Sequence, residues 1–423
     1  MGALPVNEMI QALPFAGVLL SFAILPGLAP RFWHRQMAAV IGAWVVLCLA
    51  EQALVRGAGA ALLYMVDVTV ADFLPFIALL LALYALGGGI AIRGGPWGRP
   101  AGNLLLLLIG TVLASIMGTI GASLLLIHPL LAANANRPEK RHLVLAFIIL
   151  VGNCGGALSP LGDPPLLVGF LRGVPFFWPL THLIPSLLVV CIPVLLLCCG
   201  LDLYFFRHEP LPARKPFRIR GLLNIALLLL LVLVIPIEGF WHPGNVRFLS
   251  ISMPGEQFAV LLLEIVCIAL SEFFTPRSIR SQNRFAWGAM REIIILFFGV
   301  FVTIDPVFVL LKQANLAPDP VAWFWASGVA SAVLDAAPTY LIFFEAAGGH
   351  AASLTAGTAQ LLTAIAAGSV YFGPVTYLGN APNLMIREIA ARRGVRMPGF
   401  FQYAGVMILV MTPLYALVSV LFF

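Results

Sequence analysis

Charge is what this chain has least of. Asp, Glu, Lys and Arg make up 10% of its 423 residues, against about 25% in an ordinary soluble domain. That leaves too little polar surface for a water-soluble fold. No long polar stretch separates the apolar runs, which excludes a sizeable soluble domain. Basic residues are missing ahead of the first apolar run: Met1–Ile10 carries one acid, Glu8, and no Lys or Arg. A cleaved signal peptide needs the opposite pattern, so the first run is expected to stay in place. The six cysteines (Cys48, Cys154, Cys191, Cys198, Cys199 and Cys267) lie in apolar stretches at neither zinc nor disulfide spacing and read as small core residues. There is no Walker A phosphate loop, no paired metal-ligand motif and no nucleophile–base arrangement. An enzyme, a cofactor and ATP-driven work on this chain are therefore not expected.

What is present is apolar: 61% of the residues are hydrophobic, and the mean hydropathy is +1.01. Leu183–Leu201 and Gly399–Phe423 hold no charged residue at all. Runs of roughly 18 or more such residues read as membrane-spanning helices. Apolar segments fall at 11–29, 36–55, 68–92, 102–133, 142–172, 182–205, 221–241, 256–275, 288–311, 321–348, 357–390 and 399–422. Segments 102–133 and 321–348 are too long for a plain span and carry small or polar residues at their middles. Both read as re-entrant hairpins. Segments 142–172 and 357–390 are interrupted by Gly and Pro at mid-length and read as broken helices. The expected fold is an all-α polytopic membrane protein of two inverted-topology repeats, each with a re-entrant hairpin and a broken transmembrane helix. The repeats would be 1–206 and 221–423, joined by a basic cytoplasmic linker, 207–220.

The basic residues test this layout. With the N-terminus outside and each hairpin returning to its own side, 20 of the 24 Lys and Arg residues fall in inside loops. Only Arg56, Arg172, Arg247 and Lys312 fall outside, as the positive-inside rule requires. If either hairpin spanned instead, the basic loops after it would change sides. This assigns both termini to the outside of a membrane, expected to be a bacterial inner membrane. The net charge of +6 sits in short loops between apolar runs and is not a nucleic-acid footprint.

The repeat is visible in the letters. Ala114–Ser123 reads ASIMGTIGAS and Ala330–Thr339 reads ASAVLDAAPT, an offset of 216. Gly156–Pro165 reads GALSPLGDPP and Gly373–Pro382 reads GPVTYLGNAP, an offset of 217. A helix cannot run undisturbed through Gly155-Gly156, Pro160 and Pro164-Pro165, since each Pro lacks an N–H and clashes with the preceding turn. In hydrocarbon, the freed backbone groups must meet protein or a water-filled cavity. Two interrupted segments at matching positions point to a transport site. The incoming half-helix would end in carbonyls suited to a cation. The outgoing one would start with N–H groups suited to an anion.

Asp163 precedes the proline pair. It reads as an N-cap and also as a cation or proton site, since an ionisable group near the bilayer middle is costly and usually functional. Asn380 is its repeat mate, with Asn383 three residues on. In the second hairpin tip stands Asp335, with Thr119 as its expected mate. It reads as a cation- or proton-binding carboxylate or as a cap of the return arm. Thr119, Ser123 and Thr339 offer hydroxyls to a ligand or to their own helices. Ser159, Thr376 and Asn153 complete the candidate polar set. Glu264, Asp305, Glu345 and Asp72 lack a repeated broken-helix context and read as helix-end or interhelical partners. His128 reads as a packed hairpin residue.

The segments GNCGGALSPLGDPP (152–165), SAVLDAAPTYLIFF (331–344) and TYLGNAPNLM (376–385) resemble the ion transporter superfamily, in its branch of citrate transporters and sodium:proton antiporters. The resemblance covers nearly the whole chain. It implies a homodimer whose protomers each hold a scaffold region and a transport region, with the site at the hairpin tips and unwound helices. Dicarboxylate carriers of that superfamily hold carboxylate and sodium with Ser-Asn-Thr at both tips. Neither tip here has it, and the second has Asp335, which attracts a cation and repels an anion. The expected function is a sodium (monovalent cation)/proton antiporter using Asp163 and Asp335. The alternative is a cation-coupled symporter for citrate or a related carboxylate, for which the nearest bases, Arg172 and Arg387, lie beyond the half-helices.

Overall fold

In hydrocarbon every backbone N–H and C=O must find its partner inside the protein, and this chain does so almost wholly by helix. The computed structural model describes residues 10–207, 215–248, 251–313 and 318–423. Among these, eight helices are long and apolar enough to cross a membrane, or nine counting one bent pair. The first half opens with α1 (Leu13–Leu28), α2 (Pro30–Arg56) and α3 (Ala58–Asp67), which runs through a wide turn at Val68–Phe73 into α4 (Leu74–Gly88). A short strand, β1 (Ala91–Gly95), follows.

The segment expected as the first hairpin is α5 (Pro100–Met117) and α6 (Thr119–Ala133), joined by Gly118 alone. The side-chain amides of Asn103 and Asn134, near the open ends, exchange hydrogen bonds of 3.1 and 2.9 Å. The two arms therefore fold back on each other. Gly118 has φ 79° and ψ 149°, a conformation essentially reserved for glycine. The broken helix follows as α7 (Arg141–Leu150), a 3₁₀ turn at Cys154–Leu158, and α8 (Pro164–Leu171). The long α9 (Trp178–Phe206) closes the half.

The expected linker is in part a structural element. Residues 208–214 lie outside the described set, but β2 (Lys215–Arg220) pairs antiparallel with β1, setting Ile92 opposite Ile219 and Arg93 opposite Arg218. The alternation in Phe217-Arg218-Ile219-Arg220 is a strand period, which the charge of the segment masked.

The second half runs α10 (Leu222–Val234), a 3₁₀ turn at Ile235–Gly239, a hairpin of β3 (Asn245–Phe248) and β4 (Ile251–Pro254), α11 (Gly255–Phe274), α12 (Arg277–Gln282) and α13 (Trp287–Thr303). The single helix expected at 288–311 is instead bent by 50° into α14 (Asp305–Gln313). The cause is Pro306, which excludes the carbonyl four residues back. That carbonyl belongs to Val302, and it accepts from Tyr64 Oη at 3.0 Å instead. The second hairpin is α15 (Pro320–Leu334) and α16 (Ala336–Ala346), with the rings of Trp323 and Phe343 packed edge to face across the arms at 5.7 Å. Then come α17 (Ala351–Ala356), α18 (Ala359–Tyr371), a 3₁₀ turn at Gly373–Val375, α19 (Ala381–Arg392) and α20 (Phe400–Phe422).

The two halves repeat their local chemistry at one offset. Ser159 Oγ donates to Ser115 O, and Leu161 N donates to Ser159 Oγ at 3.1 Å. At +217, Thr376 Oγ1 donates to Ala332 O at 2.6 Å, and Leu378 N donates to Thr376 Oγ1 at 3.1 Å. Asp335, at +217 from Gly118, has φ 80° and ψ 149°. The repeat mate of Asp335 is therefore Gly118, not Thr119, because the turn geometry and not the polar letter defines the tip. Packing is reciprocal as well: α6 of the first hairpin packs on α19, and α16 of the second packs on α8. Both broken helices thus lie between the two hairpins.

Candidate functional site

At each break the freed carbonyls must be satisfied, and side chains do most of it. In the first, Ser115 Oγ donates to Gly155 O at 2.5 Å and Asn153 Nδ2 to Ile148 O at 2.8 Å. In the second, Asn383 Nδ2 donates to Gly373 O at 2.8 Å and to Thr376 O at 2.9 Å, and Tyr403 Oη to Pro374 O at 2.8 Å. Asn153 and Asn383 also join the halves, Nδ2 of the first donating to Oδ1 of the second at 2.7 Å.

Asp163 lies at the centre of this arrangement and is 1% exposed. Its Oδ1 accepts from Thr119 Oγ1 at 3.2 Å and from Asn380 Nδ2 at 3.0 Å. Its Oδ2 is buried and has no hydrogen-bond partner among the described residues. The expected N-cap role is not realised by the side chain: Asp163 and Asn380 both occupy N-cap positions, but neither side chain makes a cap bond. Prolines explain it in α8, since Pro164 and Pro165 have no N–H to offer. Leu166 N and Leu167 N both donate to the Asp163 carbonyl, at 3.1 and 3.3 Å. The anion-binding N–H groups expected from Pro164 to Leu167 are therefore absent or already used.

Asp335 is 7% exposed, and its Oδ1 accepts from Ala336 N at 2.6 Å, so it does cap the return arm of its hairpin. It shares no hydrogen bond with Asp163 among the described residues. Thr339 Oγ1 bonds back to Asp335 O at 2.8 Å, and Ser159 and Thr376 brace their hairpin tips, so these three hydroxyls are already committed as donors. Ser123 Oγ and Asn153 Oδ1 are buried and unpartnered. The structure thus brings together Asp163, Thr119 and Asn380, with the Asn153–Asn383 pair beside them. It leaves Asp335, Ser123 and Thr339 outside that hydrogen-bonded group.

Sequence reasoning missed the Gly152 carbonyl, which Asn380 Nδ2 reaches at 3.4 Å, and the braces Ser115 and Ser331. The signal for Ser115 and Ser331 was available, since each stands one helical turn before a tip. Other expectations are met: Arg172 Nη1 pairs with Glu345 Oε1 at 2.7 Å, and its Nη2 lies 3.7 Å from Asp72 Oδ1. Arg387 sits over the Tyr377 ring at 4.7 Å. His128 is buried, its Nε2 against Asn283 O at 3.2 Å. Glu264 departs from expectation: it is buried, and among the described residues it has no ion pair or hydrogen bond.

A small cavity opens beside Asp163, between the first hairpin tip, α4 and the first break. Its polar side chains are Asp163, Thr119 and Tyr84, and the remaining walls include Leu80, Leu83, Met117 and Leu167. Among the described residues no Lys, Arg or His side chain forms an ion pair with Asp163 or Asp335. Among the described residues no three His, Cys, Asp or Glu side chains converge on a metal-sized site. The available donors are carboxylate, amide and hydroxyl oxygens, a hard set suited to hard cations.

Fold and site together define an integral membrane protein with an acidic, oxygen-lined centre between two hairpins. The sequence matches the family described as "putative citrate transport" over residues 5–423, and the chain belongs to that family. It is accordingly a secondary transporter of the citrate and ion transporter kind. None of the curated proteins matches the chain.

Proposed function

We propose that this transporter is a sodium (monovalent cation)/proton antiporter in which Asp163 is the exchanging carboxylate. The observation that carries the proposal is the Asp163 side chain: buried, with one oxygen unpartnered and no ion pair to a basic side chain among the described residues. A buried carboxylate must be neutralised, since an isolated buried charge is far too costly. A proton does this, and so does a bound cation, but one excludes the other. Two mutually exclusive neutralising partners at one alternately exposed group are the physical core of antiport. Asp335 adds a second negative charge at the second hairpin tip and favours cation entry.

The architecture proposed with it is a pair of inverted repeats, 1–206 and 221–423. Its support is the hydrogen-bond recurrence at +217, the reciprocal packing of hairpins on broken helices, and the contact of the repeat mates Asp163 and Asn380 at 3.0 Å. Residues that are mates and also touch lie close to the axis relating them. The basic loops then face the cytoplasm of a bacterial cell, with both termini outside, and the protein works as a homodimer. Cysteines at 218 and 393 react from inside and one at 245 from outside. Labelling of 218 and 393 from opposite faces would overturn the arrangement.

Family membership favours a second reading, cation-coupled symport of citrate or a related carboxylate. The proline-blocked start of α8 and the pairing of Arg172 with Glu345 speak against it, because they leave an anion few free donors. Proteoliposomes decide between the two. Sodium, lithium or potassium added outside should evoke proton efflux, read by an internal pH dye, with no uptake of labelled citrate. Citrate uptake without cation-evoked proton movement would overturn the antiport reading.

A further inference from the structure

Glu264 stands in mid-span of α11, 2% exposed, with no hydrogen bond or ion pair to any described residue. An acidic side chain so placed is costly and calls for a ligand. It faces a second, small cavity whose other polar lining is Glu238 and Gln257. On α11 the lining residues Gln257, Val260, Leu261 and Glu264 form an i, i+3, i+4, i+7 stripe, so one helix face is turned to this space. The opposite walls are apolar: Pro75 and Leu79 from α4, and Leu167, Phe170 and Leu171 from α8. No basic residue lines it.

This cavity adjoins the first. Leu167 lines both. It stands four residues after Asp163 on α8, one turn or about 6 Å along the axis and on the same face. The cavity's other end lies near the start of α11, where His242 Nδ1 meets Glu256 Oε1 at 3.1 Å. Two carboxylates, one of them buried and without a partner among the described residues, therefore line a space that shares a wall, Leu167, with the Asp163 cavity.

We propose that Glu238 and Glu264 line an access vestibule that binds the transported positive charge, a proton or a small monovalent cation, and delivers it past Leu167 to Asp163. The inference rests on Asp163 as the exchanging group, but its first test does not. A hydrophobic carbodiimide, which attacks protonated carboxyls in apolar surroundings, is applied to the purified wild-type protein, and modified peptides are read by mass spectrometry. Glu264 should be modified. Protection by sodium or lithium at constant pH identifies a metal-cation vestibule, and labelling that falls only as pH rises identifies a proton vestibule. Either result supports the proposal. No modification at Glu264, or modification indifferent to both, overturns it.

In proteoliposomes, Glu264→Gln should raise the KM for the cation by about tenfold while leaving the saturating rate within about twofold, the split expected of lost access and intact exchange. An unchanged KM would also overturn the vestibule. A wild type with sodium-protected Glu264 but no cation-evoked proton flux would sink the antiport reading and leave the vestibule standing.

Discussion

The first and second broken helices share a backbone and differ in where they carry charge. Both tips turn at φ near 80° and ψ 149°, both are braced by a hydroxyl from the break, and both outgoing helices begin at an extended polar residue. In the first half the tip is Gly118 and the helix start is Asp163. In the second the tip is Asp335 and the helix start is Asn380. Each half thus contributes one carboxylate, but from a different level of the motif. The shared part is what an interrupted helix needs in order to exist in hydrocarbon. The unshared part is chemistry: an acid buried at the meeting of the halves, and a second acid held at a tip that glycine would occupy with less strain.

The largest expected effect comes from making the two helix starts alike. Asp163→Asn removes the charge and keeps the shape, so cation-evoked proton flux in proteoliposomes should vanish. Thermal stability should change little, because the side chain caps nothing. Full exchange by this variant would remove Asp163 from the mechanism. Making the tips alike comes next. Asp335→Gly relieves a backbone strain of about 1–3 kcal/mol and loses a cap that glycine replaces at a cost of a few tenths. It should therefore stabilise the protein by about 1 kcal/mol in a denaturation series while reducing flux. A variant that is both more stable and fully active would mean that Asp335 serves the turn alone.

The reverse substitution probes the shared backbone. At Gly118, with φ 79°, a Cβ would lie 3.3 Å from the Leu161 carbonyl oxygen. Gly118→Ala should destabilise the protein by about 1–3 kcal/mol, and an unchanged midpoint would contradict the tip geometry. The smallest effect should come from the braces. Ser159→Ala and Thr376→Ala each remove a donor to a tip carbonyl and an acceptor, for one loop N–H at Ser159 and for two, Leu378 N and Gly379 N, at Thr376. Each should cost about 1 kcal/mol, and the two costs should agree to within about 0.5 kcal/mol. A clear inequality would argue against equivalent roles in the two halves.

Much of this plan was legible in the letters, and the misses have physical causes. Long uncharged runs gave the helices, and the Gly-Pro interruptions located both breaks. The hairpins followed from excess length and from basic-loop placement. The mate of Asp335 was misread by one residue because letter matching aligned two polar side chains, whereas the turn is defined by backbone dihedrals. The bend after Ile304 was announced by Pro306 and overlooked because the surrounding run is so apolar. Strand β2 was hidden by its charge. Asp163 takes the N-cap position but makes no side-chain cap bond, because the prolines that marked the break remove the first two N–H groups and the Asp163 carbonyl already holds the Leu166 N–H.

By itself the sequence determined that the chain lives in a membrane, where its helices break, and that a few ionisable groups stand within those breaks. These are local or compositional properties, set by the cost of leaving charge and unpaired backbone in hydrocarbon. Which polar groups meet was decided only by the tertiary structure. Asp163 and Asn380 are 217 residues apart and touch, and Ser159 and Thr376 each brace a hairpin tip by donating to its carbonyl. Glu264, an unremarkable acid in an apolar helix, became a buried carboxylate, without a partner among the described residues, in a space that shares Leu167 with the Asp163 cavity. Contacts across such distances depend on how helices pack, and packing depends on the whole set of surfaces at once, which no local run of letters encodes.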